Sequence, residues 1–204
     1  LRMDLDPHKS IEQYVKTLSF EQIADRIRRE KGFSMKTTPL EPVTTSDHEI
    51  FTYEDGKTAQ DTSGAYLEFT LHFMAAKDMV VHLTSANSSS GAADGTLVMS
   101  QNSVLPASMR ISFAADGTTW IYDPGMDATS NTEGNAKTFG LPGADAMKIN
   151  NDNAMFFLKE GVDKAIKVHI WMEGTDPACT DELKGSDYSI RLRFTGDKTD
   201  TKDT

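Results

Sequence analysis

Between residues 67 and 73 the chain alternates strictly. Leu67, Phe69, Leu71 and Phe73 are apolar, and Glu68, Thr70 and His72 between them are polar. A period of two places successive side chains on opposite faces of an extended backbone, so this stretch predicts a half-buried β-strand. "MVVHLTS" repeats the pattern with Met79, Val81 and Leu83 on one face. "SMRISFAADGTTWIYDP" reads as strand, turn, strand, a hairpin centred on Asp116-Gly117, because these residues tolerate the positive φ of a tight turn. "AMFFLKEGVDKAIKVHIWME" gives a strand, a turn around Glu160-Gly161 and a strong strand. In that last strand Ile166, Val168, Ile170 and Met172 alternate with Lys167, His169, Trp171 and Glu173. "DYSIRLRF" closes the series, setting Tyr188, Ile190, Leu192 and Phe194 against Arg191 and Arg193, with a phase slip near Ser189.

Residues 10–31 carry the other period. Ser10 with Gln13 and Ser19 with Gln22 each have the spacing of a capping box. Ile11, Tyr14, Val15 and Leu18, then Phe20, Ile23, Ala24 and Ile27, recur at helical spacing, and cations gather before Gly32, a stop signal. The pattern predicts two short helices, or one broken near Ser19, whose apolar stripe packs on the sheet or serves as a partner-binding arm. Residues 34–64 read as strand fragments and loops. "SANSSSGAADG" (85–95) reads as a low-complexity loop, 124–153 as a long insertion, and the tail "TGDKTDTKDT" as disordered. Strands joined by hairpin turns, without alternating helices, predict a mainly β fold. The expected form is an antiparallel β-sandwich, jelly-roll-like, with a short N-terminal helical element. The expected divisions are a helical segment at 1–33, the sandwich at 34–197 and a polar tail at 198–204.

Charge then narrows the function. With 21 Lys and Arg against 31 Asp and Glu, the net charge is −10. Nucleic-acid binding needs a basic footprint to displace phosphate counterions, and none is visible. An acidic membrane surface repels such a chain, and no apolar run reaches the roughly 18 residues of a membrane span. The single cysteine, Cys179, precludes an internal disulfide. The chain opens on Leu1, and the expectation is a trimmed or processed chain whose export signal lies outside it.

The order "AYLEFTLHFMAAKDMVVHLTS", then "ASMRISF" leading to "WIYDP", then "FFLKEGVDKAIKVHIWMEGTDPACTDELKGSDYSIRLRF" resembles a group of small exported surface proteins of Gram-positive, clostridial-type bacteria. The Ile-Trp-Met-Glu-Gly strand end, the Asp-Pro-Ala-Cys loop and the closing amphipathic strand carry the likeness, which spans about residues 65–196. That group is similar in architecture to the TasA/camelysin class of exported matrix proteins. The resemblance implies export, an extracellular or cell-surface location and a jelly-roll-like sandwich. It carries over no catalytic residue.

Camelysin is described as a protease, so zinc hydrolysis is the first chemistry to test. A zincin places two histidines one helical turn apart with a glutamate base. "DHEIFTY" supplies His48 and Glu49 but has Thr52 where the second histidine belongs. His72, His82 and His169 lie on polar strand faces and can converge on a metal only if those strands are neighbours. Cys179 stands among Asp176, Asp181 and Glu182, whose field raises a thiol pKa and disfavours a nucleophile. Its alternatives are a small apolar side chain tucked under the loop or an intermolecular disulfide. No cofactor is expected, and calcium is the ion this loop suits, through Asp176, Asp181, Glu182 and Asp187. The aromatic residues Trp120, Tyr122 and Trp171, with His169, form a candidate ligand platform of the kind that stacks on sugars. Trp171 is expected either to be covered by the N-terminal helices or to stand exposed. The sequence thus leads to a non-enzymatic exported surface or matrix protein. It would recognise a partner, or add a strand to itself or another surface protein. The alternatives are a carbohydrate-binding module and, third, a metal-dependent hydrolase.

Overall fold

The protein is described here from a computed structural model, which covers residues 1–84, 95–125, 130–131, 136–140 and 154–198. It is mainly β, with a short helix near the N-terminus. The strands are β1 (Arg2–Asp4), β2 (Pro42–Val43), β3 (Leu67–Met74), β4 (Met79–Leu83), β5 (Leu97–Met99), β6 (Met109–Ala115) and β7 (Thr118–Tyr122). They continue with β8 (Ser130–Asn131), β9 (Ala136–Phe139), β10 (Ala154–Leu158), β11 (Lys164–Glu173), β12 (Ser189–Arg191) and β13 (Phe194–Lys198).

The largest sheet runs β1-β3-β11-β6-β7-β9-β8. β11 is its centre. It pairs antiparallel with β3 from Lys164 to Ile170 on one edge, and with β6 from Lys167 to Met172 on the other. Where β3 ends, β2 takes over that edge in parallel at Met172 and Glu173. A second sheet, β10-β4-β13, is antiparallel, and β12 pairs with β5. Most ladders are antiparallel as expected, but β7–β9 and β11–β2 are parallel. The architecture is therefore mixed, with unequal sheets.

The β6–β7 hairpin closes as the sequence predicts, with positive φ at Asp116 (53°) and Gly117 (76°). The Glu160-Gly161 turn does something else. It carries the chain from β10 in the small sheet to β11 in the large one, beside the 75–78 corner that carries β3 to β4. The two corners are tied together by Gly161 N–H to the Ala75 carbonyl (2.9 Å) and Glu160 N–H to Asp78 Oδ1 (2.8 Å). The phase slip near Ser189 also has a structural meaning: β12 and β13 belong to different sheets. The expected tail is corrected at its start. Thr195 to Lys198 pair with β4, held by Thr195 Oγ1 to Thr84 Oγ1 (2.5 Å) and by Asp197 to His82 (2.8 Å). The rest of the tail, residues 85–94 of the low-complexity loop and most of the 124–153 insertion lie outside the described residues.

The main core joins the two larger sheets. Phe73 of β3 meets Phe156 of β10 and Phe194 of β13 edge-on, and Phe113 of β6 also meets Phe194. The inward set predicted for β3 and β11 is buried throughout. The helical stretch resolves into a 3-10 turn at Ile11–Gln13 and α1 at Phe20–Lys31. Ser19 Oγ accepts from Gln22 N–H (3.1 Å), Gln22 Oε1 accepts from Ser19 N–H (2.9 Å), and Gly32 ends α1 in the left-handed region. Ile23, Ala24 and Ile27 bury in the main core. No helix among the described residues is long and apolar enough to cross a membrane.

Candidate functional site

The face of the large sheet turned away from the main core is mostly polar by sequence, yet it is buried around Ser112, Ile121, His169 and Trp171. Three adjacent strands place Glu68, His169 and Ser112 side by side. His169 Nε2 lies 2.8 Å from Glu68 Oε2, and the other Glu68 oxygen accepts from Lys31 Nζ (3.2 Å), which also reaches Asp61 (2.7 Å). The hydrogen bond to His169, outweighing burial and aided by Lys31, draws the Glu68 carboxyl down to about 2. Burial would lower Lys31, but its bonds to Asp61 and Glu68 prevail and raise it.

What buries this face is the segment from Val43 to Ala65. Phe51, fully buried, is wedged between Tyr66, on which it stacks at 4.3 Å, and the rings of His169 and Trp171, each 5.1 Å away. Glu173 anchors the strap by accepting from Thr44 Oγ1 (3.1 Å) while also accepting from Trp171 Nε1–H (3.2 Å). Val43, Phe51, Ala59, Ala65, Tyr66, Ile121 and Trp171 make a second hydrophobic cluster. Burial, with the Glu68 charge adding to it, pushes the Tyr66 phenol up to about 12. Ser112 Oγ and His169 Nδ1 are both buried without a hydrogen-bond partner among the described residues. The bond that would activate a serine is thus not made.

The expected platform does not form. Trp171 is covered, but by the strap rather than by the N-terminal helix. His169 is 1% exposed beside it. Trp120 and Tyr122 face the other way, into the main core, because β7 pairs them with Phe113 and Ile111 of the inward row. The histidines are likewise dispersed. His72 pairs with Asp163 (2.9 Å), His82 with Asp197 on the outer face of the small sheet, and His169 with Glu68. His48 takes a positive φ of 64° in the strap.

The acidic loop's carboxylates also part company. Asp176 turns to the Arg110 guanidinium; burial would raise its pKa, but the Arg110 hydrogen bond and charge and the Ala178 amide together lower it. Asp181 pairs with Lys184, and Asp187 accepts from Ser100 and Gln101. Among the described residues no three His, Cys, Asp or Glu side chains, Glu182 included, are grouped as a metal would require. Cys179 packs against the main core, and burial, with Asp176, Glu173 and Glu54 adding to it, pushes its thiol up. The loop is a strand connection, secured by Arg110 and by the buried Leu183.

The open feature lies beside that loop. A cavity of about 680 Å³ runs between Pro39–Pro42, Tyr53–Asp55 and Lys184–Gly185. It continues past Pro39 and Gly185 into a cavity of about 290 Å³ lined by Phe20, Met35 and Tyr188. A third, of about 190 Å³, shares Met35 and Lys36 and ends at α1. The three cavities neighbour one another through these shared residues and make up a groove region lined by both apolar and charged side chains. Tyr53 rests on the second hydrophobic cluster, so this wall is carried by the strap. Reading the sequence missed Phe51 and Tyr53 because the segment has no period. The available signal was Ile50, Phe51 and Tyr53 standing together in the otherwise polar run 44–58. Set against known protein families, curated proteins and solved structures, the chain matches none.

Proposed function

We propose that this is a non-enzymatic, exported surface or matrix protein that recognises a partner along the groove over the 174–188 connection. The groove itself carries the reading. It is open, of ligand-binding size, and walled by Pro39, Pro42 and Tyr53, whereas the histidines on the three main strands are each committed to a carboxylate inside the fold. The test is adhesion. Fluorescently labelled protein is offered to Gram-positive cells and to their isolated matrix, and compared with Tyr53→Ala. Binding that drops in the variant, with its melting curve unchanged, supports the reading; equal binding by both proteins, or none by either, overturns it.

A second reading, self-association by strand addition, has its own observation. Among the described residues β10 pairs on one side only, and Phe157 on it is 43% exposed, with Val162 on the following corner 50% exposed. Lowering pH toward 4.9 removes the repulsion between copies that carry −10 each. Light scattering and electron microscopy should then show oligomers or fibres that Phe157→Lys abolishes. A monomer at every concentration and pH removes this second reading. Sugar stacking would have to use rings such as Tyr53 or Phe157, since Trp120, Tyr122 and Trp171 are buried.

A further inference from the structure

Most of the charged side chains along the groove are already paired. Lys36 meets Glu21 at 2.8 Å, Arg28 meets Asp25 at 2.7 Å and Lys184 meets Asp181 at 3.0 Å. Asp55 uses one oxygen on the Lys57 amide and stands 3.8 Å from the Lys57 ammonium. Asp187, lining the 290 Å³ cavity, has no ion pair among the described residues but accepts from Ser100 and Gln101. That leaves Glu41 and Glu54. Both are exposed, both line the 680 Å³ end of the groove, and neither carboxylate has an ion-pair partner among the described residues. The same cavity is lined by Tyr53, Pro39 and Pro42, and by Lys184, on which the Glu54 charge acts from beyond ion-pair distance. An unpaired carboxylate in open water gains nothing from a groove, but two facing one carbon-lined channel complement an incoming cation, and a tyrosine ring adds attraction to a cation over its face.

From this complementarity we infer that the groove binds an extended, cationic peptide segment. Its backbone lies along the Pro39–Pro42 wall and a Lys or Arg side chain enters between Glu41, Glu54 and Tyr53. The inference rests on the groove being the recognition site and adds the chemistry of its partner. An extended chain suits the site, because three neighbouring cavities share lining residues and an extended backbone can place successive side chains in separate pockets.

The experiment uses the full chain and three labelled octapeptides, alternating proline with lysine, serine or glutamate, read by fluorescence anisotropy. The lysine peptide should bind most tightly and the glutamate peptide least. The Glu41→Gln/Glu54→Gln variant should weaken lysine-peptide binding about fivefold, as two exposed charge pairs would, and reduce its salt dependence. A control that removes the same net charge elsewhere, Asp116→Asn/Glu160→Gln, should leave binding nearly unchanged. Equal loss in the control shows attraction to the whole acidic surface and overturns the inference, as does lysine-peptide binding no tighter than that of the serine peptide. If all three peptides bind alike and Tyr53→Ala weakens all three, the groove recognises chains and the cationic partner is wrong. If none binds, the cationic partner is likewise wrong, and cell adhesion judges the groove separately. A doubling of protein mass that Glu41→Gln/Glu54→Gln abolishes would make a second copy the occupant and also overturn it.

Discussion

Phe73 and Phe51 are both fully buried phenylalanines, one on each face of the large sheet, and they are buried by different means. Phe73 belongs to a strand whose period of two dictates its direction, and it meets Phe156 and Phe194 from a second sheet. Phe51 belongs to an irregular strap and covers a surface that includes an imidazole, a carboxylate and a tyrosine. On the inner face regular structure meets regular structure. On the outer face a polar strand row is made into an interior by a segment with almost no secondary structure. The comparison teaches that the alternation of a strand fixes which way side chains point, while burial depends on what the rest of the chain lays over them.

Breaking the inner face should have the largest effect. Phe73→Ala leaves a cavity between the sheets and should cost about 4 kcal/mol, read as a shift of the urea midpoint with cooperativity retained. Phe51→Ala should cost less, about 3 kcal/mol, since an irregular strap can settle into part of the space. The two variants differ most in fluorescence. With Trp120 replaced by Phe, emission reports Trp171 alone. Phe51→Ala should then shift it to the red before global unfolding, and Phe73→Ala should not. If Phe51→Ala leaves Trp171 emission unchanged, the strap is not what covers it.

The next effect is electrostatic and belongs to the outer face alone. Glu68 is drawn to about 2 in the folded protein, below the ordinary 4.5 of a free carboxyl. A depressed carboxyl contributes stability that is fully present above its unfolded value and is lost as pH falls through the folded one. Stability should therefore decline from about pH 4.5 toward pH 2. Glu68→Gln should remove roughly 2 kcal/mol at neutral pH and flatten that part of the acid profile. An unchanged slope below pH 4.5 would show that His169 and Lys31 do not hold this carboxylate in solution.

The contrast also explains what could be read from the sequence. The inward rows of β3, β4 and β11, the Asp116-Gly117 hairpin, the Ser19 cap and the Gly32 stop were all legible because local geometry decides each of them. Pairing partners were not. Nothing in "FFLKEGVDKAIKV" announces that its turn changes sheets, and nothing in "DYSIRLRF" announces that two sheets share it. The candidate site was harder still. Trp171 and His169 stand out in the sequence as strand residues on a polar face, which makes them look like a platform. Their cover, Phe51, lies more than a hundred positions away in an aperiodic run. The acidic loop attracts notice by composition, yet Arg110 and Ser100, which draw Asp176 and Asp187 apart, come from distant parts of the chain. The groove's Glu41 and Glu54 lie in the same unpatterned segment as Phe51.

The smallest effect tests the element that serves both faces. α1 sends Ile23, Ala24 and Ile27 into the main core, while Lys31 at its end bonds Glu68 on the outer face. Ser19→Ala removes the acceptor for the Gln22 amide and should cost about 1 kcal/mol. The loss should not spread evenly. The buried stripe holds the middle of the helix, so fraying begins at the first turn, and the Lys31–Glu68 bond at the opposite end survives. Hydrogen exchange should therefore quicken at Ile23 and its neighbours in the first turn of α1 while protection at Glu68 and His169 persists. If protection at His169 falls together with that of the first turn, α1 moves as one lever across both faces, and the inner and outer clusters are coupled through it rather than stabilised separately.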